Sequence, residues 1–151
     1  MPHPPDDEAL IAALRLASGL DPVPERVSAA ARAAFALRLP GAAVARPVAV
    51  PAPSGVRSAG RDRLLRFGAD GLVLDLEIEP SAGLVDLAGQ ITPHPGAGAL
   101  VEVRTPRLTE SRDLSPAGRF AVTGLPPGWF SVVCHRPDGP PVATVWTRIG
   151  P

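Results

Sequence analysis

Leu72-Val73-Leu74-Asp75-Leu76-Glu77-Ile78-Glu79 alternates large apolar residues with acids over its second half. Successive strand side chains point to opposite faces, so a period of two marks a strand with one buried and one wet face. Leu72, Leu74, Leu76 and Ile78 belong to a core. Asp75, Glu77 and Glu79 face water.

Outward from this run the same period recurs. Segments 63–67, 84–92, 99–105, 108–113, 119–123, 129–136 and 142–149 read as further strands. Between them stand Gly68-Ala-Asp-Gly, Pro80-Ser-Ala-Gly, Pro93-His-Pro-Gly, Ser115-Pro-Ala-Gly, Leu125-Pro-Pro-Gly and Pro137-Asp-Gly-Pro, all of turn chemistry. Short strands broken by such turns predict a mainly β fold, an antiparallel β-sandwich of about seven to eight strands over residues 61–151.

The N-terminal forty residues read differently. Leu10, Leu14 and Ala17 share a helical face after Asp6 and Asp7, with Ser18-Gly19 as the expected stop. A second helix is expected to enter through Asp21-Pro-Val-Pro-Glu and to carry Val27, Ala31, Ala34 and Phe35 on one face until Pro40-Gly41. Residues 1–40 are therefore predicted as a helical hairpin, giving α+β overall. Residues 41–60, rich in Pro and Gly, are predicted as an extended linker.

Gly118-Arg119-Phe120-Ala121-Val122-Thr123-Gly124-Leu125-Pro126-Pro127-Gly128-Trp129-Phe130-Ser131-Val132 follows a Gly89-containing strand and the Ala99–Arg104 run. This arrangement resembles the carboxypeptidase regulatory-like domain, a transthyretin-like sandwich, over residues ~85–149. In that family an Asp-containing turn often precedes Gly-x-Phe; here Ser115-Pro116-Ala117 stands in its place. The resemblance implies an accessory module without an active site, and no catalytic residue carries over.

Fifteen basic and fifteen acidic residues cancel, so no global field draws the chain to nucleic acid or an anionic membrane. Every base is Arg, while Lys, Asn and Tyr are absent. Such usage fits a GC-rich bacterial genome. Of the apolar residues 24 are Ala, which bury little area, so the core is expected where the larger side chains crowd, beyond residue 61. The N-terminus lacks the basic and apolar regions of a secretory signal, no run is long enough to span a membrane, and a single Cys cannot form an internal disulfide. A cytoplasmic location is the expectation.

Chemistry is sparse. His3, His94 and His135 are scattered rather than spaced as metal ligands, and no Gly-x-Ser-x-Gly elbow or phosphate-binding loop exists. Cys134 shares parity with Phe130 and Val132 and is expected in the core, on the face opposite His135. Asp75, Glu77 and Glu79 read as a solvated face, with a hard cation as the alternative. No enzyme activity, cofactor or metal is expected.

The candidate interaction residues are Leu10, Leu14 and Phe35 on the helices, the basic run Arg57, Arg61, Arg63 and Arg66, and Trp129, whose parity opposes Phe130. The expected function is a protein-protein interaction or regulatory accessory module, with another protein as partner. The alternatives are an exported carbohydrate or cell-wall binding sandwich and a sigma-factor-associated regulator without zinc.

Overall fold

The computed structural model describes residues 6–20, 22–49 and 63–149. The chain divides into two compact units, Met1–Arg38 and Leu39–Pro151.

The first unit holds α1 (Asp7–Leu20) and α2 (Glu25–Ala36). Asp7 and Glu8 stand in the first turn of α1, where a negative charge complements the helix dipole. Contrary to the expected stop, α1 runs through Ser18-Gly19 to Leu20, with the Ser18 hydroxyl donating back to the Arg15 carbonyl at 2.9 Å. Pro24 precedes α2, suiting a position whose N–H has no helical partner. The Leu37 N–H donates to the Ala34 carbonyl at 3.2 Å and the Arg38 N–H to the Phe35 carbonyl at 3.1 Å, closing the helix. Neither helix buries any residue. Two N-terminal helices are present, as the sequence predicts, and together with the strands they make the chain α+β.

The second unit is mainly β. Its ten strands are β1 (Ala43–Pro47), β2 (Arg63–Ala69), β3 (Leu72–Ser81), β4 (Leu84–Thr92), β5 (Leu100–Arg104), β6 (Thr109–Asp113), β7 (Arg119–Leu125), β8 (Gly128–His135), β9 (Val142–Thr144) and β10 (Thr147–Ile149). They form one sheet in the order β6-β5-β8-β9-β1-β2-β3-β4-β7, with β10 pairing β8. The end strands β6 and β7 bring Cα atoms within 8 Å of each other without joining a ladder. The sheet is therefore nearly closed and barrel-like, not clearly two separate layers.

Two features correct the expected strand set. Segment 142–149 is two strands, β9 pairing with β8 and β1 and β10 pairing with β8 alone. The other is β1, which lies inside the segment expected as linker. Ala43, Val44 and Ala45 pair with Val142, Ala143 and Thr144 in parallel, while Arg46 and Pro47 pair with Gly68 and Phe67 antiparallel. One five-residue strand so joins both halves of the sheet, and the ladder is not purely antiparallel. Pro47, which has no N–H to give, stands at its last position, and Val48 resumes bonding to the Arg66 carbonyl at 2.8 Å.

The core follows the parity of the sequence. Leu72, Leu74, Leu76 and Ile78 of β3 are buried together with Phe67, Val85, Leu87, Ile91, Val101, Val103, Phe120, Val122, Leu125, Phe130 and Val132. Each such side chain contributes roughly 1.5–3 kcal/mol by leaving water. Two glycines let β4 and β7 approach closely. Gly89 lies beneath the Phe120 ring, which occupies the space a Cβ would need. Gly118 has φ +74°, and a Cβ there would stand 2.5 Å from the Ile91 carbonyl oxygen.

Candidate interaction surfaces

Strand geometry decides which charged residues are available. Arg66 and Asp75 face each other across β2 and β3 on the outer surface. The Arg66 Nε donates to Asp75 Oδ1 at 2.6 Å and its Nη2 to Oδ2 at 3.1 Å, a fork-to-fork pair. The hydrogen bond and the charge of Asp75 raise the Arg66 pKa above its ordinary value. Asp75 is thereby committed to Arg66 rather than grouped with Glu77 and Glu79. Among the described residues no group of three or more His, Cys, Asp or Glu is placed to hold a metal ion.

The structure does not bring Arg63 and Arg66 together. Three positions apart on one strand, they point to opposite faces. Arg63 sits opposite Ile78 in the core-facing register, at the open end of the barrel. Its Nη1 donates to the Arg148 carbonyl at 3.3 Å. Arg57 and Arg61 lie outside the described residues.

Trp129 is 52% exposed, on the face opposite Phe130 as parity requires. Its cross-strand partner in β10 is Arg148, also exposed. Phe130 on the inward side is fully buried. Cys134 shares that inward side with no exposure, and burial raises its thiol pKa while the charge of Arg136 acts weakly against this. On the outer side of the same strand His135 Nε2 stands 3.3 Å from Glu102 Oε2, without hydrogen-bond alignment. Cys134 and His135 therefore face apart and form no thiolate-imidazole pair.

The helical candidates are all exposed. Leu10 and Leu14 of α1 and Phe35 of α2 join Leu16, Leu20 and Val27 in a set of large apolar side chains open to water. The Arg38 guanidinium stacks 5.1 Å from the Phe35 ring centroid. No described helix is long and apolar enough to cross a membrane.

One feature carries no sequence signal. The β3–β4 hairpin from Pro80 to Val85, together with Arg63, Ile78, Pro127 and Ile149, encloses a cleft of about 860 Å³ at one end of the sheet. Its lining comes from four stretches far apart in the chain, so no local pattern announces it. Comparison with protein-family models, with curated proteins and with solved structures found no match.

Proposed function

We propose that this chain is a non-enzymatic protein-binding accessory module, in which the β unit is a rigid scaffold and α1 and α2 are the docking element. The observation that carries this reading is the exposure of both helices. Leu10, Leu14 and Phe35 are 49%, 61% and 68% exposed, and no residue of either helix is buried. Helices of this length are marginal in water when nothing covers their apolar face. Such faces are covered when an amphipathic helix lies in a partner's hydrophobic groove. The β unit on this reading is of the carboxypeptidase regulatory-like type. The turn at Gly118 and the inward placement of Phe120, Val122, Phe130 and Val132 support it.

The test uses the full chain as bait. A partner retained by the wild type and by Trp129→Ala, but lost from Leu10→Asp/Leu14→Asp and from Phe35→Asp, supports docking through the helices. Retention of every partner by the helix variants sinks this reading.

A second reading rests on Trp129. An exposed Trp beside an exposed Arg offers a flat stacking surface with a cationic flank, the chemistry of a carbohydrate or cell-wall binder. Co-sedimentation with polysaccharide that Trp129→Ala abolishes and the helix variants leave intact favours this alternative.

A further inference from the structure

We propose that the cleft at the open end of the barrel binds a small amphipathic carboxylate, an acyl chain of medium length whose head group lies on Arg63. The proposal is independent of the docking role given to the helices.

The register makes Arg63 exceptional. It continues the core-facing row of Leu65 and Phe67 and stands directly opposite Ile78, a position at which this sheet otherwise places apolar residues. A guanidinium there sets a permanent positive charge at the mouth of an apolar recess. Below it Ile78, Val85 and Ile149 are buried core residues. The wall rises through Leu84, 45% exposed on the hairpin, to the rings of Pro80 and Pro127. At about 860 Å³ the recess lies within the roughly 300–1,000 Å³ of small-molecule sites, and it is an open recess whose lining is more apolar than polar.

Charge complementarity selects the head group. Arg63 gives one N–H to the Arg148 carbonyl, leaving the greater part of its five-donor fork for a ligand. Among the described residues no carboxylate pairs with it. One planar fork matches one carboxylate in the bidentate geometry that makes such pairs strong. The apolar lining then selects a hydrocarbon tail over a polar one.

The backbone disfavours an extended peptide as the occupant. Strand addition requires an open edge, yet β3 is paired on both sides by β2 and β4, and β4 by β3 and β7. The Arg148 carbonyl of β10 is taken by Arg63 itself. At the recess β3 and β4 therefore present side chains and no free ladder.

Titration calorimetry of the full chain with hexanoate, octanoate and decanoate below their aggregation concentrations tests the site. Affinity is expected to rise about three- to four-fold per added methylene, the step that burial of a CH₂ supports. Decanol is expected to bind at least about ten-fold more weakly than decanoate, and decyltrimethylammonium more weakly still. Arg63→Met removes the preference for decanoate over decanol. Leu84→Asp, at an exposed position that leaves the fold intact, weakens all three acids. Arg66→Met, on the outer face of the same strand, changes nothing. The proposal is overturned if decanoate does not bind, if binding ignores chain length, if decanol binds as tightly as decanoate, or if Arg66→Met and Leu84→Asp act alike.

Discussion

Arg136 clamps the β2–β3 turn to the loop that follows β8 through Asp70. Its Nη2 donates to the Asp70 carboxylate, while its Nε donates to the Pro140 carbonyl at 2.8 Å and holds the guanidinium in place. The residues are 66 positions apart, and the pair ties together two turns at the same end of the sheet. The Arg136 side chain is only 13% exposed but Asp70 is 51% exposed, so water screens the pair and its contribution falls toward the lower end of the roughly 1.5–3 kcal/mol of hydrogen bonds to charged groups. Arg136→Ala is expected to lower unfolding stability by about 1–3 kcal/mol in urea titration. A double-mutant cycle with Asp70→Ala should show a favourable coupling, and Arg136→Lys should not restore it, since an ammonium lacks the fork.

Gly118 is the turn position least able to accept a side chain. A non-glycine residue at φ +74° bears roughly 1–2 kcal/mol of backbone strain, and its Cβ would also press on the Ile91 carbonyl. Gly118→Ala should therefore destabilise by about 2–4 kcal/mol, read as a fall in the denaturation midpoint. Gly89→Ala should cost about 1–3 kcal/mol by displacing the Phe120 ring.

The β3–β4 hairpin contains the opposite case. Ala82 adopts φ +49° immediately before Gly83 at φ +82°. Alanine in the left-handed region is strained, whereas Asn tolerates it by local hydrogen bonding. Ala82→Asn is expected to stabilise the chain by about 0.5–1 kcal/mol, visible as a higher melting temperature. No gain in melting temperature would contradict the strain.

Burial raises the Cys134 pKa in the folded chain. Above the ordinary thiol value the unfolded chain loses this proton while the folded chain keeps it, so the unfolded state is favoured as pH rises toward the folded value. Stability should thus fall on the alkaline side, and Cys134→Ala, though less stable at neutral pH, should show a shallower alkaline decline. Native Cys134 should also react slowly with a thiol reagent, with full reaction in denaturant.

The extent to which the sequence foretells this structure differs from element to element. Leu84–Thr92 is a strand with the bounds that alternation predicts, and Leu72–Glu79 extends only to Ser81, because one buried and one wet face imprint themselves on the residues directly. β1 is the contrary case. Ala43, Val44 and Ala45 carry too little bulk to show alternation, and they are a strand because β9 and β2 offer ladders on either side. The helical faces with Leu10, Leu14 and Phe35 are legible as amphipathic runs, and so is the exposure of Trp129 from its parity against Phe130. The separation of Arg63 from Arg66 also follows from parity, but the pairing of Arg66 with Asp75 needs the register.

The mainly β character of the second unit, the two N-terminal helices and most of the core are written in the chain. These follow from local periodicity and turn residues, which are properties of neighbouring positions. That Leu72–Glu79 lies within a nearly closed sheet bridged by β1, and that Arg63 stands over a cleft built from four distant stretches, emerges only when the strands assemble. Those features depend on which strands meet and in which register, and such long-range choices leave no periodic trace along the chain.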